Sequence, residues 1–138
     1  MCPGLTPDAH RESVAAMKSN GDALQALKTD ALAGMREYLA GVIDSGGEPG
    51  YTGADVGECG RILDAYLDRA AGAAHGDDEA VMAAVQDAVL ALNVLNERCN
   101  DHLIETDQRE LLCELIQRAA SAAGVGSGAD LTKKWREW

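Results

Sequence analysis

The stretch His102–Cys113, HLIETDQRELLC, gathers the residue types that do chemistry. It holds His102, the acids Glu105, Asp107 and Glu110, Arg109 and Cys113. Three chemistries compete for it. A metal site would pair Cys99 with His102, two residues between them, and draw on Cys113 and Glu114. Zinc accepts Cys and His at that spacing, but a structural site needs four ligands, usually as two close pairs. The second pair is missing. Cys99 and Cys113 also fall on apolar stripes, where a free thiol behaves as a small hydrophobe.

A catalytic site would use His102 as general base, oriented by Asp101, Glu105 or Asp107. Such a base needs a partner and a pocket. The chain offers no nucleophile elbow, no Gly-rich phosphate loop and no H-E-x-x-H. It also lacks the paired Glu-x-x-His repeats of di-iron bundles. The expectation is therefore no enzyme, no catalytic residue, no metal and no cofactor.

The third reading is a helix entry. The first N–H groups of a helix need acceptors. Thr106 can cap, with Asp107 in the first turn. Alternatively Asp107 caps and Glu110 closes a D-x-x-E box. Glu105 and Arg109 are four apart and can pair. Leu111, Leu112 and Cys113 then turn into the core.

A binding face can overlie that entry. In ALNVLNERCND, Asn93, Asn96 and Asn100 are three and four apart, on one side of a helix. They lead to Asp101, His102 and the acids beyond. The tail LTKKWREW is a second unusual stretch. Lys133, Lys134 and Arg136 form a basic island, and Trp135 and Trp138, three apart, share a helical face. The indoles can pack on the body as a lid, or anchor an interface. The candidate partner-binding set is Asn96, Asn100, Asp101, His102, Glu105, Asp107, Glu110, Trp135 and Trp138.

These stretches must be positioned by a body of 138 residues, the size of one domain. Phe is absent and aromatics are 4%. With 24 alanines, the core must come from Ala, Leu, Val and Ile. That palette favours helices, because Ala loses no side-chain entropy on entering one. The net charge is −11, spread over both halves. Phosphate backbones and anionic membranes repel such a body. A protein partner with a basic surface suits it, because long-range attraction speeds encounter. Plain solubility explains the same charge.

The N-terminal MCPGLTPDAH has no apolar h-region. No apolar run approaches the ~18 residues of a membrane span. The expectation is a cytoplasmic protein with reduced thiols at Cys2, Cys59, Cys99 and Cys113.

Asp8 opens a first predicted helix, about 9–19, with Val14 and Met17 inward. SNGD ends it, Asn-Gly being a turn signal. A second helix, about 23–44, carries Leu24, Leu27, Ala31, Met35, Tyr38, Leu39 and Val42. Gly34 and Gly41 lie seven apart within it, and a close helix neighbour would explain them. DSGGEPGYTG breaks the chain. Thr52 and Asp55 can form a capping box, followed by Val56, Cys59, Leu63, Tyr66, Leu67, Ala70 and Ala74. A fourth helix, about 77–99, starts with three acids that complement the helix dipole. Its stripe is Val81, Val85, Ala88, Val89, Leu92, Leu95 and Cys99. A fifth, about 107–123, carries Leu112, Leu115, Ile116, Ala119 and Ala123. GVGSG links to a last short helix. No segment alternates like a strand.

The fold class is all-α, a single four- to five-helix bundle with a short C-terminal helix. Residues 1–21 form a helical lead-in, 22–124 the main bundle, and 125–138 a Gly-rich linker and Trp-containing tail. The blocks LNERCNDHLIETDQRE and DLTKKWREW, under a third of the chain, resemble small uncharacterised bacterial proteins. The resemblance implies a bacterial origin and transfers no site residue. The function expected is an acidic protein-binding protein, of the immunity type that neutralises a basic toxin domain. The alternatives are an adaptor or secretion chaperone, and a small-molecule or metal sensor.

Overall fold

The computed structural model describes the backbone of residues 5–125 and 130–138, with side chains from residue 21 onward. Expectations for the side chains of Asp8, Val14 and Met17, and for the linker after Val125, lie outside the described residues. Four helices follow in order: α1 (Leu5–Asp44), α2 (Gly53–Gly72), α3 (Asp78–Arg98) and α4 (Thr106–Ala122). No strand occurs among the described residues.

α1 corrects the expected break at Asn20-Gly21. The helix runs through SNGD without interruption. One interior Gly costs about 1 kcal/mol, whereas restarting a helix means a new and unfavourable nucleation. Leu24 and Leu27, packed against the core just beyond, also favour continuation. α1 has 40 residues and α2 has 20. At 1.5 Å per residue these span about 60 and 30 Å. The described side chains of α1 that reach the core lie between Leu24 and Leu39.

The helix ends follow from local chemistry. Thr52 accepts from the Asp55 N–H while the Asp55 carboxylate accepts from the Thr52 N–H, the capping box that the sequence predicts. Asp77 caps α3 by accepting from the Ala80 N–H at 3.2 Å. α1 ends at Gly46 with φ +81°. There Gly47 N–H reaches back to the Val42 carbonyl, and Gly46 N–H to that of Ile43. This closure needs a left-handed residue, a conformation without penalty for Gly.

α1 packs on α2 and α4, α2 on α3, and α3 on α4. α1 and α3 face each other across a diagonal, while α2 and α4 touch across the other. Met35, Leu63, Leu92, Leu112, Leu115 and Ile116 are fully buried at the centre. Every residue of the predicted α3 stripe is buried, from Val81 to Cys99. Tyr66 donates its hydroxyl to the Ile116 carbonyl at 2.7 Å, which satisfies the one polar atom it brings inside. Burial pushes its phenol pKa up.

The two inner glycines of α1 differ. A Cβ at Gly34 would stand 2.7 Å from the Gln108 amide nitrogen, so α4 does approach closely there. A Cβ at Gly41 would meet nothing within 4 Å, so a close neighbour does not explain that glycine. The expected C-terminal helix does not occur among the described residues. Residues 131–135 form turns, closed by Trp135 N–H and Arg136 N–H on the Thr132 carbonyl. We call residues 130–138 the strap.

Candidate functional site

The α3–α4 connection is a built corner. Asn100 and Asp101 take φ +57° and +61°, two successive left-handed residues that are not Gly. Asn and Asp tolerate this region better than other side chains. Asp101 N–H closes on the Asn96 carbonyl at 2.8 Å, Asn100 N–H on Glu97 and His102 N–H on Cys99. Leu103 and Ile104 then plunge into the core. Asn96 is only 3% exposed, and its side-chain oxygen accepts from the Ile104 N–H at 2.9 Å. The α1–α2 loop supports the corner from below. A Cβ at Gly50 would lie 2.8 Å from the His102 ring and 3.0 Å from the Cys99 carbonyl. Tyr51, beside it, is buried, stacks on Tyr38 and donates to the Met35 carbonyl at 2.9 Å. Burial, then the charges of Tyr38 and Glu105, push its pKa up to about 12.

Helix entry at α4 differs from both expected caps. The N-cap is Glu105, and its side chain makes no capping bond. Thr106 and Asp107 lie inside the first turn. The expected Glu105–Arg109 ion pair does not occur. What joins the two is Arg109 N–H on the Glu105 carbonyl at 2.8 Å. Asn100, Asp101, His102, Glu105, Asp107 and Glu110 are all exposed. None of the four acids among them enters a described ion pair.

The strap lies over the α3–α4 groove. Asn93 holds it twice, donating to the Trp135 carbonyl at 2.8 Å and accepting from Glu137 N–H at 3.1 Å. Gln117 accepts from Leu131 N–H. Arg136 donates to the Cys113 sulfur at 3.1 Å and pairs with Asp130 at 3.4 Å. Thr132 is fully buried, its hydroxyl donating to Asp130. Burial raises the Asp130 pKa, but the Thr132 hydroxyl and N–H, then Arg136 and Lys133, outweigh it and hold the carboxyl below its ordinary range. Trp135 and Trp138 are half-buried against the core. The Trp138 Nε1 is buried with no hydrogen-bond partner. Asn93 stands six residues before the α3 C-cap, so the strap crosses about 9 Å from the corner.

The candidate set thus divides in three. Six residues share the corner surface. Trp135 and Trp138 are engaged with the bundle, the lid arrangement. Asn96 lies inside the fold as a clamp, because its side-chain oxygen is engaged by the loop it closes. Sequence reasoning missed Asn93 as a clamp, and Tyr51, Leu103 and Ile104 as buried loop anchors. Only the Asn93/Asn96 spacing beside an apolar stripe hinted at the clamps.

The residues considered for a metal part company. Cys99 is buried, and burial, then Asp55, push its thiol up to about 11. His102 is exposed and Cys113 faces the strap. No group of three metal-capable side chains occurs among the described residues. None of the helices, over the described residues, is long and apolar enough to cross a membrane. Comparisons with models of known families, with curated proteins and with solved structures gave no match.

Proposed function

We propose that the chain is an acidic protein-binding protein whose α3–α4 corner receives a basic surface, in the manner of an immunity protein neutralising a basic toxin domain. The observation that supports this most is the fixed corner. Asp101 and Glu105 stand on a loop locked by Asn96, by closing backbone bonds and by two buried side chains, and Asp107 and Glu110 follow in the first two turns of α4. A rigid loop loses little entropy on binding. Charge of one sign steers a basic partner and speeds encounter. The −11 body extends that field.

The test is a pull-down from the source cells with an N-terminal tag, washed at low and moderate salt. A stoichiometric basic partner is then measured kinetically. Association should slow as salt rises, and Glu105→Lys with Asp107→Lys and Glu110→Lys should slow it at least about ten-fold. Tight binding that ignores both salt and these changes would remove the corner from the interface. An adaptor is the second reading. Leu90 and Val94, four apart on α3, are 42% and 59% exposed and form an apolar strip next to Asn93. Salt-insensitive binding lost in Val94→Asp would favour it.

A further inference from the structure

The opposite end of the bundle holds a feature that the corner does not use. A cleft of about 440 Å³ opens where the α2 and α4 C-termini meet the middle of α1. Leu24, Leu67, Ala71, Ala119 and Ala122 supply apolar walls. The volume lies in the range of about 300–1,000 Å³ that drug-sized ligands occupy. It exists because the wall-forming positions are mostly alanines, too short to meet across the gap.

One side of the cleft is pinned. Gly76 N–H donates to the Ala123 carbonyl at 2.9 Å, tying the α2–α3 loop to the end of α4. Gly124, at φ +95°, packs so closely that a Cβ would stand 2.8 Å from the Gly76 nitrogen and 3.1 Å from the His75 ring. The His75–Ala123 side of the cleft is thus held in place without a ligand.

Among the described lining residues the one carboxylate is Asp68 and the one basic side chain is the imidazole of His75, while Arg69 in the last turn of α2 is paired with Asp87 outside the cleft. α2 and α4 both end here, and a helix C-terminus carries about half a negative charge. α2 ends abruptly, with Ala73 extended at ψ 145°. No described backbone N–H closes on the Ala70 or Ala71 carbonyl, and both residues line the cleft. Asp68 places a carboxylate at the rim, and Gln25 adds an amide. No Lys or Arg stands among the described lining residues.

We propose that this cleft binds a small organic cation with an apolar body, the ammonium toward Asp68 and the helix ends, the hydrocarbon against the alanines. The site is independent of the corner. The probes are 4-phenylbutylamine and its neutral analogue 4-phenylbutan-1-ol, titrated into the full chain and followed by amide NMR shifts. The amine should bind at least about ten-fold more tightly than the alcohol, with shifts centred on Asp68, Ala71 and Ala122. Asp68→Asn should shrink that preference to about three-fold or less. Ala122→Leu, at an exposed helix position, should abolish binding of both, and Ala71→Leu serves the same purpose should the first variant misfold. Absence of binding, equal affinity for amine and alcohol, or amine shifts centred on Asp101–Glu110 would each overturn the proposal.

Discussion

Asn93 and Asn96 are one helical turn apart on α3, both buried, and each holds a segment of chain through its side-chain amide. What they hold differs in permanence. The corner that Asn96 closes is also fixed by three backbone bonds and by Leu103 and Ile104 inside the core. The strap that Asn93 holds buries the polar Thr132 but no apolar side chain completely: Leu131 and the two indoles are only half-buried, one indole with its N–H unsatisfied, and the rest are polar contacts. The same residue type is an internal fastener in one place and a surface latch in the other. Permanence comes from the apolar anchors beside the amide, because a single hydrogen bond nets only about 1 kcal/mol.

The sharpest way to break this contrast is Leu103→Ala. It should destabilise the whole fold by about 2–5 kcal/mol in urea unfolding, as large core truncations do. Asn96→Ala should follow at about 1–3 kcal/mol, since it strands the buried Ile104 N–H. Hydrogen exchange should then quicken at residues 100–105. Asn93→Ala should lower global stability by about 1 kcal/mol, yet it should make the strap the first site cut by chymotrypsin. If Asn93→Ala cost as much as Leu103→Ala, the strap would be part of the core and the contrast would fail.

The two regions should also yield at opposite ends of the pH scale. Burial lifts the Cys99 thiol, at the root of the corner, to about 11, and burial lifts Cys59 to about 12. A raised thiol stabilises the fold fully below the ordinary thiol value of about 8.5. That stabilisation is lost as pH climbs from there through the folded values. Thermal melts should therefore fall steadily above pH 8.5, and less steeply in Cys99→Ala. Asp130 is held below its ordinary range. Its contribution is present above about pH 3.9 and is lost as pH drops through the depressed value. The strap should become protease-sensitive on the acid side first, the smallest effect of the series. Asp130→Asn should reproduce that sensitivity at neutral pH.

Much of this architecture was legible from residue spacing. The α3 stripe and the Thr52–Asp55 capping box stand where periodicity and cap chemistry put them. The α1 break was not legible, because an Asn-Gly turn preference is local and the packing that overrides it is not. Tyr51, Leu103 and Ile104 were missed because loop anchors have no period. The clamps were missed for a related reason: an asparagine reads as a surface residue until its partner, eight residues away for Asn96 and more than forty for Asn93, is known. Of the candidate site, the acids at the corner were legible as exposed. The cleft was not, since alanines signal a helix and not the gap between helices.

The strap has one consequence for optical work. The chain has two tryptophans, and both lie in its last four residues. Each indole sits about 5.5 Å from a cation, Lys134 for Trp135 and Arg136 for Trp138. Tryptophan fluorescence of this protein is therefore a reading of the strap, not of the bundle. Circular dichroism at 222 nm reads the bundle. A denaturation curve taken by emission and one taken by dichroism should separate, and the gap between them measures how far the latch opens before the helices do.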